Sequence, residues 1–259
     1  MSSVISEISN GVLTLTLNRP EKLNSFNREM SLEFQAALKR ANERSEVRAI
    51  VITGAEKAFC AGQDLSEAVD KNNGLSISRI IEEHYNPIVK LIIAIEKPVI
   101  AAVNGVAAGA GANLALACDI IYAAESATFI QAFSKIGLVP DTGGTFFLSR
   151  IVGHKKALAL MMLGDKLTAL EAKEICIVED VFPDEQFFVS VNKIAEKLAK
   201  MPTKSLALTK KLLLASINND LNAQLDLELE FQVIAANSYD YNEGVSAFLE
   251  KRKPEFIGR

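Results

Sequence analysis

Two glycine-bearing turns and one carboxylate are the features of this chain best suited to chemistry. Gly109-Ala110-Gly111 follows an apolar run and opens a stretch of tiny residues, Ala108 to Ala112, that reads as the start of a helix. The free N–H groups of a helix start favour a negative oxygen, and small side chains let a ligand approach the backbone. The same residues equally suit close helix packing. A second turn, Phe59-Cys60-Ala61-Gly62-Gln63-Asp64, follows the apolar run ending at Thr53-Gly54. Two such turns after two parallel strands can face one crevice. Asp141, in Pro140-Asp-Thr-Gly-Gly144, reads either as an acid–base group or as the cap of a helix beginning near Gly143.

Other common chemistries lack their residues. There is no G-x-S-x-G elbow, no phosphate-binding P-loop and no H-E-x-x-H pair. His84 and His154, the only histidines, sit on no ligand spacing and read as exposed helix or loop residues, so no metal is expected. Leu114 stands where the third glycine of a dinucleotide fingerprint belongs, which argues against a nicotinamide cofactor. Cys60, Cys118 and Cys176 match no zinc pattern and leave an odd thiol under any disulfide scheme, as suits a reducing cytoplasm. Lys+Arg 28 against Asp+Glu 32 gives a net charge of −4, so nothing draws nucleic acid and any anionic ligand must be held locally.

The elements that must position these residues alternate. Val4 to Ile8 and Val12 to Leu17 read as a hairpin about Asn10-Gly11, and a helix is expected from about Asn27 to Asn42. Ala49 to Gly54, Pro98 to Val103 and Ile120 to Ala124 read as strands, with a helix near Ile80 to Ile95. This order predicts an α/β fold with a parallel sheet. The uncharged stretch Pro98 to Cys118 is broken by Asn104, Gly105, Gly109 and Asn113, so it reads as buried strand, turn and helix rather than a membrane span. From Thr168, where Thr-Ala-Leu-Glu fits a capping box, helices dominate. The 259 residues fit one large domain with an appendage, divided as a 1–200 core and a helical 201–259 region. Leu221 to Asn237 is apolar on two sides, as an oligomer contact or a central core helix would be.

Several strings, in order and spacing, resemble the enoyl-CoA hydratase/isomerase (crotonase) family: Asn18-Arg-Pro-Glu-Lys-Leu-Asn-Ser25, Ala58-Phe-Cys-Ala-Gly-Gln-Asp-Leu65, Lys97-Pro-Val-Ile-Ala-Ala-Val-Asn-Gly105, Cys118-Asp119, Gly143-Gly144-Thr145 and Glu243-Gly-Val-Ser-Ala-Phe-Leu-Glu-Lys251. The resemblance spans nearly the whole chain. It implies a crotonase-like spiral of ββα repeats, a helical C-terminal trimerisation region, and acyl-CoA thioester chemistry with no cofactor beyond the coenzyme A of the substrate. By position it assigns the oxyanion-binding amides to Gln63 and Ala110 and the thioester path to Ala61, Gln63, Asp64, Leu65, Ala110 and Phe133, with Lys22 toward phosphate. Phe248 and Lys251 would reach in from a neighbouring subunit of a trimer or dimer of trimers.

Hydratases of the family carry two glutamates where this chain has Asn113 and Phe133, and neither can activate water. Asp141 instead matches the acid–base position of isomerase members. Apolar neighbours Phe133, Leu138 and Val139 are expected to raise its pKa. The run Gly105 to Asp119, the run Ala132 to Gly144 and Gln224-Leu-Asp-Leu-Glu228 resemble members that convert ring-1,2-epoxyphenylacetyl-CoA to an oxepin thioester. Isomerisation of 3-enoyl thioesters, enoyl hydration and silent acyl-CoA binding are the alternatives. The pocket wall that sets acyl preference is expected between Asp64 and Arg79.

Overall fold

The computed structural model describes residues 2–68 and 76–259. β1 (Val4–Ser9) and β2 (Val12–Leu17) form the expected antiparallel hairpin, turned by Asn10 and Gly11 at positive φ. The chain then winds as a spiral that assigns successive strands to two sheets. β3 (Ala49–Gly54), β5 (Val99–Val103), β7 (Ile120–Ala124) and β10 (Asp180–Phe182) extend the hairpin into a six-stranded sheet, in the order β1-β2-β3-β5-β7-β10. β4 (Ala58–Cys60), β6 (Val106–Ala108), β8 (Thr128–Ile130) and β9 (Lys166–Thr168) make the second sheet, in the order β4-β6-β8-β9. Each turn of the spiral thus adds one strand to each sheet, and β3, β5 and β7 stack in parallel. Parallel strands covered on both faces are nearly continuous apolar runs, and every residue of β3 and β5 is buried.

Helix Arg28–Glu43 starts at Asn27, whose side chain accepts from the Met30 N–H at 2.9 Å, and buries Met30, Phe34 and Leu38. Each such residue contributes about 1.5–3 kcal/mol relative to an exposed one. The capping box at Thr168 and Glu171 forms as expected. The apolar stretch Pro98 to Cys118 resolves into β5, β6 and the buried helix Ala110–Leu116. Among the described residues no helix is long and apolar enough to cross a membrane.

The helix expected near Ile80 to Ile95 opens with a wide, π-helical turn, Ile80–Tyr85, before the α-helix Asn86–Ala94. Pro87 accounts for the irregularity, because it has no N–H for the Glu83 carbonyl four residues back. That carbonyl takes its hydrogen bond from Gln35 Nε2 instead, at 2.7 Å. His84 corrects an expectation: it is fully buried, and neither ring nitrogen has a partner among the described residues. It continues an apolar stripe at steps of four, Ile80, Ile88 and Ile92, all buried. Burial pushes its pKa down, so the ring is neutral at pH 7.

Helices Thr203–Ala215, Leu221–Ala236 and Tyr239–Glu250 follow. Helix Leu221–Ala236 buries none of its residues, and Leu221, Leu225, Leu229 and Val233 are 51–73% exposed (73%, 51%, 67% and 53%). Within one chain it is therefore not a central core helix.

Candidate active site

The turn after β4 is held on its neighbours by main-chain bonds. The Phe26 N–H donates to the Gly62 carbonyl at 2.7 Å, the Asp64 N–H donates to the Phe26 carbonyl at 2.8 Å, and the Ala61 N–H donates to the Leu23 carbonyl at 3.0 Å. This pairing skips the Gln63 N–H, which has no acceptor among the described residues. After β6, Gly109 at φ 52 turns the chain into helix Ala110–Leu116, and the Ala110 N–H is likewise unaccepted. The two turns meet main chain to main chain. A Cβ on Gly62 would lie 3.3 Å from the Ala110 nitrogen, and one on Gly111 would lie 2.1 Å from the Cys60 carbonyl oxygen. Glycine at these positions is what lets two free amides sit on adjoining turns.

Asp141 stands on a third turn. Thr142 and Gly143 both take positive φ, 52 and 74, before helix Gly144–Val152. No side chain caps that helix; the Gly144 N–H is accepted by the Asp141 main-chain carbonyl at 2.9 Å. The capping reading of the Asp141 carboxylate is therefore excluded. Its side-chain partner is the Thr142 hydroxyl, which donates at 2.7 Å. Burial raises the carboxyl pKa above the ordinary value, and the bond from Thr142 opposes this only in part. Of the apolar neighbours expected to desolvate it, Phe133 is buried, while Leu138 and Val139 are 41% and 81% exposed.

The remaining groups join the turns. Asn113 is fully buried, donates from Nδ2 to the Asp141 carbonyl at 2.8 Å, and accepts at Oδ1 from Gln131 Nε2 at 2.8 Å. The Phe133 ring abuts the helix start, 3.8 Å from where a Cβ on Gly109 would stand. The buried Tyr85 hydroxyl donates to Gln63 Oε1 at 3.0 Å. Burial raises the Tyr85 pKa, and nearby acidic groups, Asp141 and Glu67 among them, add to it.

A profile of the enoyl-CoA hydratase/isomerase family matches residues 7–259. The chain belongs to this family. It is 46% identical over 261 residues, all of both chains, to the 1,2-epoxyphenylacetyl-CoA isomerase of Escherichia coli (strain K12). It is 36% identical, again over the whole of both chains, to the 2,3-dehydroadipyl-CoA hydratase of the same organism. Among solved structures, the enoyl-CoA hydratase from Bacillus anthracis superposes at a TM-score of 0.92 with 33% identity, covering 99% of this chain and 100% of that one. Relatives of this enzyme thus include both isomerases and hydratases.

Within the family fold, the other expected site residues divide. Ala61 is half-buried on its turn, and Leu65 is 52% exposed at the start of the short helix Leu65–Ala68. The Asp64 carboxylate is committed to the frame, paired with Arg19 at 2.9 Å and accepting from the Ser66 N–H and hydroxyl. Burial pushes its pKa up, but the bonds from Ser66 and Arg19 outweigh this and hold it below the ordinary value. Lys22 is exposed at the end of the short turn Pro20–Lys22, next to the Leu23 carbonyl that holds Ala61. Phe248, 81% exposed, lines a groove of 510 Å³ with Leu208, Phe231 and Val245, a groove that includes none of the residues around Asp141. Lys251 caps the same helix at φ 54. In one chain these two residues belong to the C-terminal helices, not to the turns.

Of the stretch expected to form the pocket wall, residues 69–75 lie outside the described residues. Sequence reasoning missed Tyr85, Gln131 and Thr142. Pro87 two residues after Tyr85 was the available signal for a helix irregularity there.

Proposed function

We propose that this enzyme isomerises acyl-CoA thioesters through an enolate, with Asp141 as its single acid–base group and the Gln63 and Ala110 amides as oxyanion donors. The observation that carries this reading is the Asp141 carboxylate, which caps no helix, meets Thr142, and is made more basic by burial. Such a group can remove a proton alpha to the thioester and return it elsewhere on the delocalised anion. The negative charge gathers on the thioester oxygen, where two preorganised amides act as it develops; losing one such donor typically costs about 10²–10³ in rate.

Hydration asks for more than this site offers. A water must be deprotonated and a second proton delivered, yet the Asn113 carboxamide is engaged at both ends and Phe133 has no proton to exchange. The substrate proposed is ring-1,2-epoxyphenylacetyl-CoA. Asp141 takes the alpha proton and returns it to the ring carbon gamma to the thioester, while the bond between the two epoxide carbons opens and the oxygen, keeping both its C–O bonds, becomes a member of the seven-membered oxepin ring; likeness to the E. coli isomerase supports this choice. Coenzyme A enters as part of the substrate, with Lys22 at the rim of its path and no separate cofactor. The exposed face of Leu221–Ala236 supports a homotrimer or dimer of trimers, in which Phe248 and Lys251 approach the thioester of a neighbouring subunit.

The test is a parallel assay of epoxyphenylacetyl-CoA, 3-hexenoyl-CoA and crotonyl-CoA with the wild type and Asp141→Asn. The variant is expected to bind thioester normally and lose roughly 10²–10⁴ in isomerase turnover. Wild-type turnover by Asp141→Asn refutes the base, and crotonyl-CoA hydration at an ordinary enzymatic rate of about 10 s⁻¹ refutes the isomerase reading.

A further inference from the structure

Gln63 is the only one of the two amide-bearing residues with a long polar side chain, and the structure engages that side chain at both ends. Its Oε1 accepts from the Tyr85 hydroxyl at 3.0 Å, and its Nε2 donates to Glu67 Oε2 at 3.3 Å. The main chain on either side of Gln63 is held by Phe26, through the Gly62 carbonyl and the Asp64 N–H. The Tyr85 ring in turn packs edge-on against the Phe26 ring, centroids 6.0 Å apart. Tyr85 therefore touches both the side chain of Gln63 and the residue that pins its backbone. Preceding Gln63 is Gly62 at φ 93, the most permissive joint in the turn.

We propose that Tyr85 is a positioning residue: its hydroxyl, together with Glu67, clamps the Gln63 carboxamide and so holds the Gln63 N–H in the direction a developing oxyanion needs. Oxyanion donors act by being aimed before charge appears, so loss of aim lowers the rate without weakening the hold on the rest of a CoA thioester. The wide turn Ile80–Tyr85 makes the clamp possible. Successive side chains on an α-helix diverge by about 100°, whereas here His84 and Tyr85 both face inward, at 0% and 3% exposure. The cost of that turn is met by Gln35, which satisfies the carbonyl that Pro87 leaves unbonded. A tyrosine buried only for packing would use its ring and leave its hydroxyl a local partner of no consequence for turnover.

This inference rests on the oxyanion role proposed for Gln63, and the experiment separates the two. Tyr85→Phe keeps the ring and removes the hydroxyl. It is expected to lower kcat roughly tenfold, the scale of one net hydrogen bond, with KM within about twofold, since uniform binding is untouched. The carbonyl stretch of a bound, unreactive phenylacetyl-CoA, read by difference infrared spectroscopy, should move part of the way back to its frequency in solution. Gln63→Ala removes the other half of the bond but keeps the N–H, and the double variant should be no slower than the slower single one. A carbonyl shift present in the wild type and intact in Tyr85→Phe, with wild-type kcat, overturns the clamp alone; additive losses in the double variant do the same. A wild-type enzyme that leaves the carbonyl at its solution frequency overturns the oxyanion role and the clamp together. Should Tyr85→Phe fail to fold, Gln63→Ala reads the same bond, and wild-type kcat there overturns the proposal.

Discussion

Around Gly62 and Gly111 the chain packs main chain against main chain, with no room for a methyl group at Gly111. Along Leu221–Ala236 the leucines at steps of four lie open to solvent. Both regions are rich in small or apolar residues, so composition alone does not separate them. What differs is whether the partner is in the same chain. The turns are closed by bonds with Phe26, Leu23 and Ile130, whereas helix Leu221–Ala236 presents a face for which the described residues supply no cover. A substitution at the turns should therefore be felt in chemistry and folding, and one on the helix in assembly.

The severest way to break that contrast is Gly111→Ala. Its Cβ would stand 2.1 Å from the Cys60 carbonyl oxygen and 2.7 Å from the carbonyl carbon, so the two turns must part. Overpacking of this kind costs about 1–3 kcal/mol, and displacement of the amides should cost on the order of 10²-fold in kcat. Thermal melting and turnover on the purified variant decide it, and near-normal kcat would mean that the turns tolerate separation. A smaller effect on chemistry, but a larger one on mass, is expected from Leu225→Asp combined with Leu229→Asp. Light scattering at micromolar concentration should show a trimer multiple for the wild type and a lighter particle for the variant. A monomeric wild type would remove the interface reading altogether.

The finest prediction sharpens the comparison inside the site, where Asp64 and Asp141 carry pKa values shifted in opposite directions. For Asp141 the folded value lies above the unfolded one, so between the two the folded state binds more protons and stability falls as pH rises. At pH 7 the ionised carboxylate is a standing penalty. Asp141→Asn should accordingly melt higher at pH 7, an advantage that vanishes below the ordinary aspartate pKa. The acid limb of kcat/KM should have its midpoint above about 4. A midpoint at or below that value, or a variant that melts lower, would contradict the desolvated carboxylate. For Asp64 the sign reverses, and its contribution is lost as pH falls through its depressed value.

Five strands of the six-stranded sheet were legible because they run to five or six residues, and its central ones, Ala49–Gly54 and Val99–Val103, are buried on both faces; the sixth, Asp180–Phe182, was too short to show. The second sheet was not legible. Its strands are three residues each, as in Val106–Ala108 and Thr128–Ile130, too short for any alternation to show. Residue types located Asp141 and the two turns, but a carboxylate before Thr-Gly-Gly fits a cap as well as a base. Only the main-chain carbonyl accepting from Gly144 separates the two. His84 was misjudged because histidine suggests solvent, although Ile80, Ile88 and Ile92 at steps of four place its position on the buried stripe. Tyr85 escaped because regular helix periodicity cannot express a turn widened by a missing N–H at Pro87.

Asn113 also bears on how such a site can change by descent. Its amide group donates to the Asp141 carbonyl while its oxygen accepts from Gln131, and Gly144 is so close that a Cβ there would stand 2.3 Å from Asn113 Nδ2. A mutation to glutamate at 113 would set a carboxylate against the carbonyl that Asn113 now serves, and would lengthen a side chain already hemmed in. The step toward a two-carboxylate site is thus blocked at its first move unless the residues at 131, 133 and 144 shift with it. That is epistasis written in hydrogen bonds: the ancestral order of substitutions, not only their identity, decides which chemistries remain reachable from this scaffold.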